Sequence, residues 1–194
     1  MTRALVLWSG GVESTSALLW LLQNTDHDIV AAHISMQNPE NRHQEEADAI
    51  AALTPYLQEV RKFRLSVSFL NLDGARCLPL DYEVLLPLAI PLKHHFQADF
   101  IVRGQCLEDA ETRKIGREAT PKEVFEDKNS CVVGMLPNYR NEIPWLNIFA
   151  LPKKQHMDYL GTLLPLTWSC RRPKAEGVPC GTCHSCKQRN HHVH

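Results

Sequence analysis

The chain has 194 residues, of which 44% are hydrophobic and 22% charged, a composition typical of a globular domain and not of a disordered chain. Its 21 Lys and Arg stand against 22 Asp and Glu, and the net charge of −1 excludes a protein held to nucleic acid mainly by bulk charge. No apolar run approaches the roughly 18 residues of a bilayer span, and the first residues do not resemble a signal peptide. We therefore expect a cytoplasmic protein.

Short apolar runs alternate with segments of helical periodicity along most of the chain. The pattern predicts strands at 4–8, 28–36, 64–72, 99–102 and 143–149, with the fourth strand ending at Gly104. Helices are predicted after the first two strands, at 82–96 and at 153–160, and Pro87 and Pro91 should kink or split the third helix. This alternation predicts an α/β fold, with a Rossmann-like parallel sheet of about five strands flanked by helices.

The chain changes character near its C-terminal end. Residues 1–165 are predicted to form the α/β domain, whereas residues 166–194 are rich in Cys, His, Pro and Gly and lack the apolar residues for a core. Within the first part, residues 107–141 are polar and are expected to form loops and surface helix. We call residues 166–194 the cysteine segment.

A glycine loop, residues 9–15, joins the first predicted strand to the first helix. Its sequence, Ser-Gly-Gly-Val-Glu-Ser-Thr, offers flexible backbone N–H groups, hydroxyl donors and a helix N-terminus, all of which favour a phosphate. It matches neither the GxxxxGK[ST] nor the GxGxxG motif. A plain tight turn with a Ser/Thr cap is the alternative interpretation, and the position between strand and helix favours the phosphate.

Four of the seven cysteines follow a metal-binding spacing in the cysteine segment. Cys170-x9-Cys180-x2-Cys183-x2-Cys186 supplies four thiolates, which is enough for a closed tetrahedral zinc site of structural type. The CxxCxxC run also suits an iron–sulfur cluster, although the usual CP ending is missing. We favour Zn²⁺ over a cluster, and a cluster over unligated thiols.

The glycine loop resembles the SGGxDS loop of the PP-loop ATP pyrophosphatases, with Glu13 where that family usually has Asp. The loop together with the cysteine spacing is similar to the 7-cyano-7-deazaguanine synthase family. The resemblance extends to Arg42-His43-x-x-Glu46, Gly104 and Lys153. The family's PGRN stretch is replaced here by residues 80–83, which read LDYE.

The resemblance implies a PP-loop fold and an ATP-dependent ligase that forms a C–N bond. Its substrates would be 7-carboxy-7-deazaguanine and ammonia, its product 7-cyano-7-deazaguanine, and its cofactors structural Zn²⁺ and Mg²⁺ with ATP as cosubstrate. Catalytic roles would fall to Glu13, Arg42, His43 and Lys153, and substrate contacts to Gln105, Glu108 and Asp109. ATP would bind Ser9, Gly10, Gly11, Val12, Glu13, Ser14, Thr15, Ile34, Ser35, Met36 and Gly104.

Three rival functions stay open. A related adenylating enzyme would stop at the amide or transfer the deazaguanine acyl group to another amine. A tRNA-modifying sulfur transferase would use the same ATP chemistry. A nucleotide- or RNA-binding module would use the basic residues of the cysteine segment, but we do not expect direct nucleic-acid or membrane binding. Assembly as a homodimer is left open.

Overall fold

The computed structural model describes residues 1–38, 40–72, 81–107 and 146–191. The predicted substrate residues Glu108 and Asp109, and the polar stretch that was expected to form loops and surface helix, lie outside these ranges except for Leu107. None of the helices in the described ranges is both long and apolar enough to cross a bilayer.

One parallel sheet organises the described part of the chain. Its five strands lie in the order β3-β2-β1-β4-β5, and every neighbouring pair is parallel. The predicted α/β architecture is confirmed. Since β2 and β3 lie on one side of β1 and β4 and β5 on the other, the strand order reverses beside β1, where open α/β sheets bind ligands. The strands are β1 (Arg3–Leu7), β2 (Asp28–Gln37), β3 (Arg64–Asn71), β4 (Phe100–Cys106) and β5 (Leu146–Leu151).

Helices cover both faces of this sheet. Alternate residues of β1 point to opposite faces, so Val6 packs into a core with residues of α1 and α2, whereas Leu5 and Leu7 pack with residues of α3. Burial on both faces explains why β1 is an uninterrupted apolar run. The helices are α1 (Val12–Asn24), α2 (His43–Val60), α3 (Asp81–His95), α4 (Lys153–Leu160) and α5 (His184–His191), with a 3₁₀ helix at Gly161–Leu166.

Two details differ from the prediction. The third helix is not split, because α3 runs through both Pro87 and Pro91. Ala89 and Ile90 lie between the two prolines and are buried in the core under β1, and this packing outweighs the lost backbone hydrogen bonds. The fourth strand does not end at Gly104 but continues to Cys106, because it pairs with β5 over its whole C-terminal half.

Candidate functional site

The glycine loop leaves β1 at the carboxyl edge of the sheet and leads directly into α1. Gly10 has a φ of +73°, in the left-handed region that favours glycine. The hydroxyl groups of Ser9 and Ser14 lie 3.1 Å apart across the loop, and the backbone N–H of Ser9 donates to the Ser14 hydroxyl. The N-cap of α1 is Gly11, and no cap hydrogen bond from a side chain is present there among the described residues. An uncapped helix N-terminus of this kind favours an anion.

Thr15 does not face the loop opening as expected. Its side chain is fully buried, and its hydroxyl accepts a 3.0 Å hydrogen bond from the indole N–H of Trp8. We correct its expected phosphate contact to a role in the core. Val12 is also fully buried, and its side chain packs in the core.

Lys153 reaches the start of α1 from α4. Its Nζ lies 2.5 Å from Oε1 of Glu13, and only 2% of the lysine side chain is exposed, against 23% for the glutamate. Burial raises the pKa of Glu13, but the charge and hydrogen bond of Lys153 outweigh burial, so the pKa lies below its ordinary value. The structure thus brings together two predicted site residues as a buried ion pair beside the glycine loop.

His156 lies one turn after Lys153 and was not predicted from the sequence. It is fully buried, its Nδ1 contacts the hydroxyl of Ser16, and its Nε2 donates to the carbonyl of Gln105 at 2.9 Å. These contacts join α4 to α1 and to β4. The sequence signal was weak, because a histidine at this spacing in a polar helix is more often a surface residue.

Gly104, for which a contact with ATP is expected, packs closely against the first turn of α1. A Cβ atom at this position would lie 2.2 Å from the carbonyl oxygen of Glu13. Only glycine therefore lets β4 approach the first turn of α1 so closely.

The loop after β2 contributes a second group of predicted residues at the same edge. Nε of Arg42 lies 3.1 Å from Oε2 of Glu40 and 3.4 Å from Oε1 of Glu46, so two carboxylates hold the guanidinium. His43 begins α2 and is half-buried. The last residues of β2, Ile34, Ser35 and Met36, are buried beside β3.

The four cysteines of the cysteine segment converge as predicted. Their sulfur atoms all lie within 4.8 Å of one another, so the cluster could hold a metal ion. Backbone N–H groups of Cys183 and Thr182 donate to Cys180 and lower its pKa to about 5. Burial raises the pKa of Cys170, and it raises that of Cys186 to about 12. A bound cation would offset this cost of holding buried thiolates.

The cysteine segment packs on the glycine loop. The backbone N–H of Trp168 donates to the carbonyl of Gly10 at 3.0 Å, and Arg171 lies 3.6 Å from Glu40. From α5, Arg189 donates to the carbonyls of Thr167 and Leu164. Sequence reasoning treated the segment as an appendage, but these contacts connect it to both loops of the candidate site.

The fold and site define a PP-loop-like α/β protein whose C-terminal cysteine cluster can hold a metal. The model of the family "Queuosine biosynthesis protein QueC" matches residues 77–193, which is more than half of the chain and includes all four clustered cysteines. The chain therefore belongs to the QueC family, and the predicted family resemblance is confirmed. The glycine loop lies outside the matched residues.

No curated protein matches the chain. Among solved structures, the chain is similar to the U34-tRNA thiolase NcsA from Methanococcus maripaludis with its 4Fe-4S cluster. The TM-score is 0.51 and the sequence identity 12%, and the alignment covers 97% of this chain and 62% of that one. At this identity the likeness shows the fold alone, and this chain spans less than two thirds of the thiolase.

Proposed function

We propose that this protein uses ATP to convert 7-carboxy-7-deazaguanine and ammonia to 7-cyano-7-deazaguanine. The observation that carries the proposal is the Glu13–Lys153 pair, which lies beside the glycine loop and the uncapped N-terminus of α1 in a chain of the QueC family. A carboxylate is a poor electrophile, and adenylation turns one of its oxygens into a good leaving group. Ammonia then displaces AMP to give the amide. A second ATP adenylates the amide oxygen, and loss of AMP leaves the nitrile.

In this proposal the glycine loop binds the triphosphate through its backbone N–H groups and the hydroxyls of Ser9 and Ser14. Lys153 balances the charge of Glu13 and adds positive potential near the phosphates. The charge and hydrogen bond of Lys153 lower the pKa of Glu13 and so favour its ionised form, which is the charge state required of an Mg²⁺ ligand. When bound, Mg²⁺ would neutralise charge on the phosphate oxygens. The buried end of β2, Ile34 to Met36, would lie beside the adenine.

We propose that the cysteine cluster holds a single Zn²⁺. In a tetrahedral site with Zn–S bonds of about 2.3 Å, neighbouring sulfurs lie about 3.8 Å apart. Cys180 and Cys186 are separated by 3.9 Å, and no pair of the four exceeds 4.8 Å. A four-iron cluster binds each cysteine to a different iron and so needs wider spacing. Elemental analysis and the visible absorption spectrum of protein purified without oxygen would test this, since one zinc per chain and no iron band are expected.

The proposed reaction is tested by mass-resolved turnover. The protein is incubated with ATP, Mg²⁺, ammonium and 7-carboxy-7-deazaguanine, and AMP and the deazapurine product are identified by mass. We expect two AMP per nitrile. Accumulation of the amide with one AMP would show that the reaction stops at the amide. Transfer of the acyl group to an added amine would identify an acyl transferase. If no AMP forms in response to the deazapurine, the nitrile-forming, amide-forming and acyl-transfer reactions are all rejected.

Sulfur insertion into a tRNA base is the second candidate, favoured by the fold similarity to the tRNA thiolase. Against it, a thiolate bound in a closed four-cysteine site is not free to carry sulfur. Incubation of the same preparation with ATP, sulfide and unmodified tRNA would decide, because thiolated nucleoside in the digested tRNA is expected only if this candidate is correct.

A further inference from the structure

A groove separates the start of α2 from the cysteine segment, and no predicted role accounts for it as a whole. Its volume is about 610 Å³, within the range of roughly 300–1,000 Å³ that is common for small-molecule sites. One wall carries His43 and Glu45, and the other carries Arg172 and Lys174. We call it the α2 groove.

Two polar atoms in the first turn of α2 lack hydrogen-bond partners among the described residues, and both belong to residues that line the groove. They are Nδ1 of His43 and Oε2 of Glu45, both buried, and Glu45 as a whole is only 7% exposed. Buried polar atoms in folded proteins are nearly always paired, and an exception calls for an explanation such as an absent ligand. A carboxylate oxygen in this position calls for N–H or O–H donors.

Three carboxylates line the groove: Glu40, the buried Glu45 and, beside the two cations, the exposed Glu176. Of these, Glu40 is already paired with Arg42 and Arg171. Arg172 and Lys174 are exposed on the opposite wall. Glu45 thus calls for N–H donors on one side, and Arg172 and Lys174 favour an anionic group on the other, where Glu176 offsets part of their charge.

The α2 groove lies beside the glycine loop. A Cβ on Gly10 would be 3.1 Å from the carbonyl oxygen of Glu46, the residue that follows Glu45. The first turn of α2 therefore packs against the glycine loop, and a ligand in the groove would lie next to any nucleotide bound there.

We propose that the α2 groove binds the substrate's 2-aminopyrimidinone ring, with Glu45 accepting its N–H donors and Arg172 and Lys174 facing its carboxylate. The ring N–H and exocyclic amino group of a guanine-like base form the donor edge that a glutamate reads. The choice of a carboxylated deazaguanine as ligand rests on the proposed function, whereas the groove and its unpaired acceptor do not.

Calorimetric titration of the zinc-loaded full chain without ATP tests the assignment. We expect Glu45→Gln to weaken binding of 7-carboxy-7-deazaguanine by about 10- to 100-fold, the effect of losing a hydrogen bond to a charged group. Glu59→Gln, at an exposed position near the other end of α2, is the matched control and should bind like wild type. The melting temperature of each variant reports whether it has folded.

Changes to the ligand give a second readout, which begins with the wild-type protein. An analogue without the 2-amino group should bind wild-type protein at least about 10-fold more weakly than the parent compound. Glu45→Gln should then weaken binding of this analogue less than it weakens binding of the parent compound. The double substitution Arg172→Ala with Lys174→Ala should weaken binding of 7-carboxy-7-deazaguanine but leave binding of the neutral 7-cyano compound unchanged. Equal binding of the parent compound by wild type and Glu45→Gln, or no binding by wild type, would overturn the assignment.

The AMP assay separates this inference from the proposed function. Glu45-dependent binding without deazapurine-dependent AMP would support the groove and reject the proposed reaction. Deazapurine-dependent AMP with an unchanged KM in Glu45→Gln would support the reaction and reject the groove.

Discussion

The glycine loop and the cysteine segment touch each other, yet they depend on different forces for their order. The loop is fixed by the hydrophobic core, because β1 before it and α1 after it are buried almost throughout. The cysteine segment has few apolar residues beyond Trp168 and the cysteines themselves, so a bound metal would supply most of its folding energy. With a metal bound, one site would combine a part stabilised by burial with a part stabilised by coordination.

Removal of the metal should therefore have the largest effect. Cys183→Ser should abolish binding of the metal and unfold the cysteine segment. It should also lower ATP turnover by about 100-fold or more, because the contact of Trp168 with Gly10 joins the segment to the loop. Metal content, tryptophan fluorescence and AMP release would be measured together.

Cys106→Ala is the control for that substitution. Cys106 is buried at the end of β4 and does not belong to the cluster, so its removal should leave the metal content unchanged. Full turnover by a metal-free Cys183→Ser protein would show that the two regions are independent.

A glycine in each region allows the core and the cysteine segment to be compared by the same substitution. Gly104→Ala should cost about 3 kcal/mol or more, because its Cβ would overlap the backbone of Glu13. Gly181→Ala should cost only about 1 kcal/mol, because its φ of +72° is unfavourable but nothing lies within 4 Å. Urea unfolding of both variants would measure the difference, and similar costs would contradict the close approach of β4 to α1.

The lysine beside the loop offers a narrower test. Lys153→Met leaves Glu13 without its partner, so we expect a loss of about 2 kcal/mol in stability and about 100-fold in ATP turnover. Lys154→Met changes the neighbouring lysine, whose exposed pair with Asp158 should contribute less than about 0.5 kcal/mol. Unfolding curves and rates of AMP release for the two variants would be compared directly, and equal effects would remove the basis for a special role of Lys153.

The smallest expected effect is the pH dependence of that pair. The pKa of Glu13 is lowered in the folded protein, so the pair's stabilisation is present above the ordinary carboxyl value of 4.5 and is lost as the pH falls through the lowered pKa. The difference in unfolding free energy between wild type and Glu13→Gln should therefore be constant near neutral pH and shrink below 4.5. A difference that grows with acidification would show that the pKa is raised instead.

Much of the fold was readable from the sequence because its signals are local. The apolar run of β1, the glycines after it and the periodicity of α1 lie within 24 residues, and each follows from short-range backbone preferences. The helix α3 was predicted, but its continuity through Pro87 and Pro91 was not, because each proline gives a local signal for a kink or a split. Only the burial of Ala89 and Ile90 against the sheet outweighs it.

The sequence by itself determined the α/β class, the glycine loop and the clustered cysteines, since all three are written in adjacent or closely spaced residues. Only the tertiary structure decided the partners of those residues. Glu13 and Lys153 are 140 positions apart, and so are Ser16 and His156. The structure also showed that Thr15 belongs to the core and that Glu45 lines a groove. Such facts depend on which helix packs over which strand, and local preference does not encode that choice.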